Sequence, residues 1–338
     1  MHIGLLSEHS DPARGGGEGF LHALAARLLA CGHSVTHCAR TGPKGVWVRA
    51  FPAATRPRRY AARLLPRLRE AGAEVVLATS PVKGCDFYQP HNGILAASIP
   101  PHLDPLPWGL RHLRRANPVR LLHFAMLRRC EAEAVAPPAR VLALSPRVVD
   151  DLGRSYPGAQ ALLRRPGVDL DRFTPGPPRA GAAPVLLFVA QNFRLKGLDA
   201  LLRAVARLPK VRLLVAGGDR PRGGERVEYL GRVADLPALY RRASLLVHPT
   251  FYDTAALVVM EALACGLPVV TSARDGNSDL AVEGGGAAVP DPRDDAALAR
   301  AIEEALARAD PARARAVAER FPEEAMLDRI VETLTCGS

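Results

Sequence analysis

The chain has 338 residues, 48% of them hydrophobic, which is enough for two domains with a core each. Its net charge of +11 lies in one half: residues 1–165 hold 23 Lys/Arg against 11 Asp/Glu (+12), residues 166–338 hold 22 against 23 (−1). The first half is therefore expected to meet something anionic. No run approaches the roughly 18 uncharged apolar residues of a membrane span, and the start MHIGLLSEHSD, with Glu8, is a strand rather than a signal peptide. Six cysteines with no CxxC pair point to free thiols in a reducing cytoplasm.

In chain order, residues 2–6 are predicted as a strand and 19–30 as a helix closed by Gly32. Strands are predicted at 34–38, 75–79 and 141–144, followed by a helix at 146–152 that opens on Pro146. The Pro/Gly-rich stretch 166–184 is the one long linker-like passage, and the domain boundary is placed near its start. Beyond it, strands at 185–190, 211–216, 227–230, 243–248 and 269–272 alternate with helices at 198–208, 236–242 and 255–264. Three further helices are expected at 296–307, 311–321 and 323–334. Strands alternating with helices predict an α/β fold with a parallel, doubly wound sheet in each half.

The segment 248–270, HPTFYDTAALVVMEALACGLPVV, carries the sharpest signal. Asp253 stands where a helix N-cap would, and Glu261 follows eight positions later on nearly the same face. Small and apolar residues between them leave the first helical amides open to an anion. A capped core helix and an anion site are both open readings. The predicted strand before it puts the helix start at a strand's carboxyl end, where ligands sit in open α/β sheets.

Three other loops bear on chemistry. Gly15-Gly16-Gly17-Glu18 opens the first helix after the first strand, where glycines permit close backbone approach; it is not a GxGxxG fingerprint. Gln191 to Gly197 follows a strand end, and there Arg194 and Lys196 reach a diphosphate as fork and point charge, unless the loop is merely a solvated basic one. Asp169-Leu170-Asp171 has a DxD spacing but lies in the linker with nothing to complete a metal shell, and the ten histidines hold no HxH pair, so no metal site is expected. Two basic stretches, 56–69 with six Arg and 107–129 with Trp108 and leucines among Arg111, Arg114, Arg115, Arg120, Arg128 and Arg129, suit an interfacial membrane contact or a snorkelling arginine face. No nucleic-acid-reading module or stacking array of aromatics is present, so no nucleic-acid partner is expected.

Taken together, GGGEGFLHALAARLLACGHSV, PGVDLDRF, VEYLGRVADLPALYRRASLLVHPT and MEALACGLPVVTS resemble the retaining glycosyltransferases of family four. Gly84 to Tyr88 and His248-Pro249-Thr250 are similar to that family's lipopolysaccharide-core glucosyltransferase branch. The resemblance implies the GT-B fold, two facing Rossmann-like domains with a cleft between them: an acceptor domain at 1–165, a nucleotide-sugar domain at 166–322, and a helix at 323–338 packing back on the first. It implies that Glu261 holds the donor ribose, Asp253 the transferred sugar, and the main chain of Thr254, Ala255, Ala256 and Leu257 the phosphates and sugar. Lys196 and Arg194 then stabilise the departing diphosphate, Gly16 and Gly17 face it, His91 stands near the sugar, and Gly231, Arg232 and Val233 border the base. Two departures bear on sugar identity and diphosphate geometry: the first motif acid is Asp253 rather than Glu, and the usual Arg lies further from the Lys than Arg194 does.

The expectation is a cytoplasmic, metal-independent hexosyltransferase without cofactor, peripheral on the inner membrane face. A UDP-sugar, foremost UDP-glucose, is the co-substrate, and an anionic lipid-linked or lipopolysaccharide-type glycan is the acceptor. A GDP-mannose-dependent enzyme and a non-catalytic sugar-nucleotide binding module are the alternatives.

Overall fold

A computed structural model of the chain describes residues 1–12, 15–43, 48–50, 60–104, 109–110, 117–177, 183–218 and 224–336. The chain divides into two compact units: Met1–Pro100, Trp108–Pro166 and Glu324–Ser338 form the first, Pro101–Pro107 and Gly167–Glu323 the second.

Unit 1 is built on strands β1 (His2–His9), β2 (Ser34–Thr41), β3 (Val48–Ala50), β4 (Val75–Ala78), β5 (Phe87–Tyr88), β6 (Arg140–Ala143) and β7 (Gln160–Leu163). Helices α1 (Gly16–Ala30), α2 (Tyr60–Glu70), α3 (Leu95–Leu103), α4 (Pro118–Val135) and α5 (Pro146–Ser155) connect them. The seven strands run in the order β3-β2-β1-β4-β5-β6-β7, all parallel. A parallel strand is covered on both faces, so β1 and β4 are apolar almost throughout: Ile3, Leu5, Leu6, Val75, Val76 and Leu77 are buried.

Unit 2 follows with β8 (Val185–Val189), α6 (Leu198–Ala206), β9 (Arg212–Ala216), β10 (Val227–Gly231), α7 (Leu236–Arg242) and β11 (Leu245–His248). Then come α8 (Leu257–Ala264), β12 (Val269–Ser272), α9 (Ser278–Glu283), β13 (Ala287–Val289), α10 (Asp295–Ala307) and α11 (Pro311–Ala318), before α12 (Glu323–Cys336) returns the chain to unit 1. The six strands are parallel in the order β10-β9-β8-β11-β12-β13. That is the doubly wound order, and the direction of winding reverses between β8 and β11. The carboxyl end of the β8–β11 pair is therefore the expected place for a ligand.

Helix α12 completes the core of unit 1. Leu327, Ile330, Val331 and Leu334 join Leu21, Leu24 and Leu28 of α1 in one buried cluster, at roughly 1.5–3 kcal/mol for each fully buried side chain. Arg27 pairs with both carboxylate oxygens of Asp328 at 2.5 and 2.7 Å. Both side chains are more than a third exposed, so this bidentate pair fixes the helix register more than it stabilises.

Several boundaries differ from the sequence reading for identifiable reasons. Helix α1 starts at Gly16, three residues before the expected start, because Gly15 is extended and serves as its N-cap. Strand β11 starts at Leu245 rather than 243, since Ala243 caps α7. Helix α11 ends at Ala318 instead of 321, where the chain turns to set Val168 and Pro322 side by side as a parallel bridge. The 166–184 stretch is no loose linker as far as 177: Phe173 is buried against the Tyr240 ring, and Arg315 donates to the carbonyls of Leu170, Phe173 and Ala264. Pro101–Pro107 groups with unit 2 rather than with the first half, and Asp104 there accepts from Arg274 at 2.5 Å. Arg56, Arg58, Arg59, Trp108, Arg111, Arg114 and Arg115 of the basic stretches lie outside the described residues.

Gly286, just before β13, sits so close to β12 that a Cβ there would lie 1.8 Å from the Val269 carbonyl oxygen. Only backbone would have to move to relieve it. Gly286→Ala is therefore expected to cost about 3 kcal/mol of stability, read as a lowered urea midpoint with an unchanged slope.

Candidate functional site

The loop after β8 and the loop after β11 are stitched together at the point where the sheet reverses. Phe251 N–H donates to the Leu195 carbonyl at 2.9 Å, and the Thr250 hydroxyl reaches the same oxygen at 3.4 Å. Gly197 makes the approach possible. Its φ is +83°, and a Cβ would fall 2.1 Å from the Pro249 carbonyl oxygen, so no L side chain fits.

This stitching sets Lys196 on Asp253. The ammonium Nζ lies 2.5 Å from Asp253 Oδ2 and also donates to the Tyr252 carbonyl at 3.3 Å. The side chains are only 20% and 17% exposed, so water screens the pair little. His248, at the end of β11 and stacked on Phe188, brings its Nε2 to 3.6 Å from the same carboxylate oxygen. Burial by itself would raise the Asp253 pKa; the Lys196 ammonium and the His248 ring outweigh it and hold the carboxyl well below the ordinary range.

Asp253 is not the N-cap the sequence suggested. Its backbone is extended and bridged to Asp275: Asp253 N–H donates to the Arg274 carbonyl at 3.2 Å, and Gly276 N–H to the Asp253 carbonyl at 3.0 Å. Helix α8 starts four residues later, with Ala256 as N-cap and no side-chain cap. Asp275, which the sequence reading passed over, accepts the Ala256 N–H at 3.3 Å. One of the four amides assigned to the phosphates is thus held by a carboxyl group of the protein. The Asp275-Gly276 dipeptide after a buried strand was a turn signal, but nothing in it pointed to α8.

Glu261, on α8, accepts from the Tyr240 hydroxyl of α7 at 2.6 Å. Burial raises its pKa, against the opposing pull of Tyr240 and the Arg172 charge. Arg194 is exposed on the Lys196 loop, and among the described residues no hydrogen bond or ion pair joins its side chain to the Lys196–Asp253 pair. Gly231 ends β10, with Arg232 and Val233 after it at the same carboxyl edge, and the Gly231 carbonyl accepts from Gly217 N–H at 2.6 Å. Thr254, Ala255 and Ala256 are buried and Leu257 half-buried. Asp169 of the DxD spacing closes a turn, its Oδ1 accepting from the Asp171 and Arg172 amides. No group of three His, Cys, Asp or Glu among the described residues is placed to hold a metal ion.

In unit 1, Gly17 and His91 come together although 74 positions separate them in the sequence. A Cβ on Gly17 would lie 2.9 Å from His91 Nδ1, so the glycine leaves room for the ring. Burial pulls the His91 pKa down to about 4, which keeps the imidazole neutral at pH 7. Gly16, beside it, is exposed at the start of α1.

The stretch 183–308, which holds both stitched loops, α7 and α8, matches the family model Glycosyl transferases group 1. A D-inositol 3-phosphate glycosyltransferase of Mycolicibacterium smegmatis is 37% identical over 180 residues, 46% of this chain and 42% of that protein. The match thus spans less than half the length of this relative. WaaG, a glycosyltransferase involved in lipopolysaccharide biosynthesis, superposes with a TM-score of 0.79 over 98% of this chain and 99% of its own, at 19% identity. Anabaena HepE in complex with UDP-glucose does so with a TM-score of 0.73 over 99% and 100%, also at 19% identity. The fold is GT-B, and the matched stretch 183–308 lies within unit 2.

Replacing Lys196 by Met strands the Asp253 charge next to Asp275, at a cost of about 3 kcal/mol near neutral pH. The sign with pH follows. In the wild type the depressed carboxyl contributes stability above the unfolded value, near pH 4, and loses it as pH falls through the folded value. In Lys196→Met the carboxyl is raised instead, so the penalty is largest at pH 7 and shrinks toward acid as Asp253 protonates. Urea unfolding of both proteins at pH 7 and pH 4 measures the difference, and a penalty that grew toward acid would contradict it.

Proposed function

We propose that the protein is a retaining glycosyltransferase that takes a sugar, glucose first, from a UDP-sugar and moves it to an anionic lipid-linked or lipopolysaccharide-type saccharide. The observation that carries this is the Lys196–Asp253 pair at the reversal point of a sheet inside the stretch that matches Glycosyl transferases group 1. A cation next to a carboxylate at that place suits a ligand that is anionic at one end and rich in hydroxyls at the other. HepE, which shares the fold, is a protein solved with UDP-glucose, and WaaG is one involved in lipopolysaccharide biosynthesis. An inositol phosphate, the acceptor in the name of the bacterial relative, is anionic as well.

In this reading Lys196 meets the donor diphosphate while Asp253 accepts from hydroxyls of the transferred sugar. Glu261, held by Tyr240, accepts from the ribose hydroxyls, and Gly231 to Val233 border the base. As the bond to the anomeric carbon breaks, negative charge grows on the leaving phosphate, and Lys196, with Arg194 as its exposed companion, offsets it. No side chain of the site is placed as a nucleophile in this scheme. The leaving phosphate takes the acceptor's proton, and the product keeps the donor's anomeric configuration. Neither a metal ion nor another cofactor is called for.

The acceptor side of the reading rests on the basic first half. Helix α4 turns Val119, Leu121, Leu122 and Met126 to solvent, with Leu122 66% exposed, beside exposed Arg128 and Arg129. An apolar face rimmed by arginine fits the boundary between headgroups and acyl chains of an anionic membrane. No helix among the described residues is long and apolar enough to cross a membrane.

Incubation with UDP-, GDP- and ADP-sugars, followed by mass spectrometry of released nucleotide, tests the donor. Release of UDP from UDP-glucose is expected, and release of GDP from GDP-mannose alone would replace that donor. Lys196→Ala should lower turnover by ~10²–10³, and near-normal transfer by that variant would remove its assigned role. Flotation with vesicles containing phosphatidylglycerol should carry the wild type at low salt, and Leu121→Ser with Leu122→Ser should cut the bound fraction several-fold.

A further inference from the structure

Asp275 is 1% exposed and lies beside a second carboxylate, that of Asp253, to which its backbone is bridged. Its Oδ1 accepts two amides, Asn277 N–H at 2.9 Å and Ala256 N–H at 3.3 Å. The other face of the Ala256 peptide is held too, since the Asn277 side-chain amide donates to the Ala256 carbonyl at 3.1 Å. Through these bonds Asp275 fixes the residue from which α8 starts, and with it the loop that carries Asp253.

The protons around Oδ2 do not add up for an ionised carboxyl. Thr271 Oγ1 lies 2.8 Å from the His248 carbonyl oxygen and 3.0 Å from Asp275 Oδ2. Two oxygen–oxygen contacts of that length need two protons, and the hydroxyl has one. The carbonyl offers none. One proton shared between the two would make both bonds weak, whereas a second proton on Asp275 makes each a full bond.

We propose that Asp275 is a positioning residue of the donor site that works as a neutral carboxylic acid. Its Oδ2–H donates to Thr271 Oγ1, whose own proton goes to the His248 carbonyl, while Oδ1 accepts the Ala256 and Asn277 amides. Thr271 Oγ1, the His248 carbonyl and both Asp275 carboxyl oxygens are then satisfied. A carboxyl in this form orders the start of α8 without adding negative charge where the donor diphosphate arrives, as the ionised form would.

The charged groups around it agree. Asp253, on the loop after β11, disfavours a second negative charge, as does burial, the larger effect; His248 at the end of β11 and Lys196 on the loop after β8 oppose them, and the balance raises the Asp275 pKa. Arg274, its neighbour in the chain, is taken by Asp104.

This proposal rests on the donor site described above, but its protonation is read on the protein alone. Infrared difference spectra of the nucleotide-free protein at pH 7 should show a protonated-carboxyl C=O band in the wild type that is missing in Asp275→Asn. The band should shift in Thr271→Val, which removes the acceptor of the proton. A wild-type spectrum identical to that of Asp275→Asn in this region overturns the proposal. Asp275→Asn keeps a donor toward Thr271 and an acceptor toward both amides. It should therefore hold at least tenfold more UDP affinity than Asp275→Ala at matched folded fraction, and equal loss in both variants overturns the positioning role. If the wild type binds none of UDP, GDP or ADP, the donor reading and the positioning role fall together, and the infrared band still decides the protonation.

Discussion

A lysine ammonium held against an aspartate carboxylate, both largely out of water, is the contact on which unit 2 turns. Such a pair contributes little net stability, since desolvation consumes most of the attraction. What it fixes is the position of two opposite charges. Lys196 and Asp253 come from different loops, 57 residues apart, and meet because parallel pairing of β8 and β11 brings both strand ends to one edge. Gly197 lets one loop lie on the backbone of the other, and the Asp253–Asp275 bridge ties that second loop to a third. A ligand with a diphosphate and a polyol would find both halves of its counterpart already assembled.

Much of this was legible in the sequence, and the reason is local. Strands such as VLLFV and VVLA are continuous apolar runs, and the helices between them carry the 3.6-residue period, so alternation alone announced the doubly wound sheets. Strands β5 and β13, with two and three residues, have too few side chains to show a pattern. In the site, Lys196 and Asp253 were visible because each follows an apolar strand directly. Tyr240 and Asp275 were not, because their roles depend on contacts with Glu261 and Ala256 that only the folded chain creates. The expected cap at Asp253 shows the limit well: the residue type was right for an N-cap, but its backbone was claimed by a neighbouring loop.

Unit 1 handles its buried charge differently. Glu131 of α4 is fully buried and accepts from the Tyr88 and Tyr156 hydroxyls and from the Leu95 amide at the start of α3. Burial raises its pKa, with those three donors pulling the other way. The effect is to pin the C-terminal end of α4 to the loop region that follows β5, the strand that leads to His91. The N-terminal part of the same helix carries its apolar residues outward. One helix thus has a fixed end and a solvent-facing end, and the two are set by a single carboxylate.

Helix α12 lends unit 1 a property that its other elements lack. The face of α1 formed by Leu21, Leu24 and Leu28 is closed by Leu327, Ile330, Val331 and Leu334, which follow the whole of unit 2 in the chain. Chains are made from the N-terminus and their domains commonly fold in that order. Here unit 1, although it starts first, cannot finish its core until all of unit 2 has been made. The second, whose strands and switch-point loops lie within one continuous stretch, can finish first. A nascent chain stalled before α12 would therefore carry a completed unit 2 while the apolar face of α1 stayed open to water.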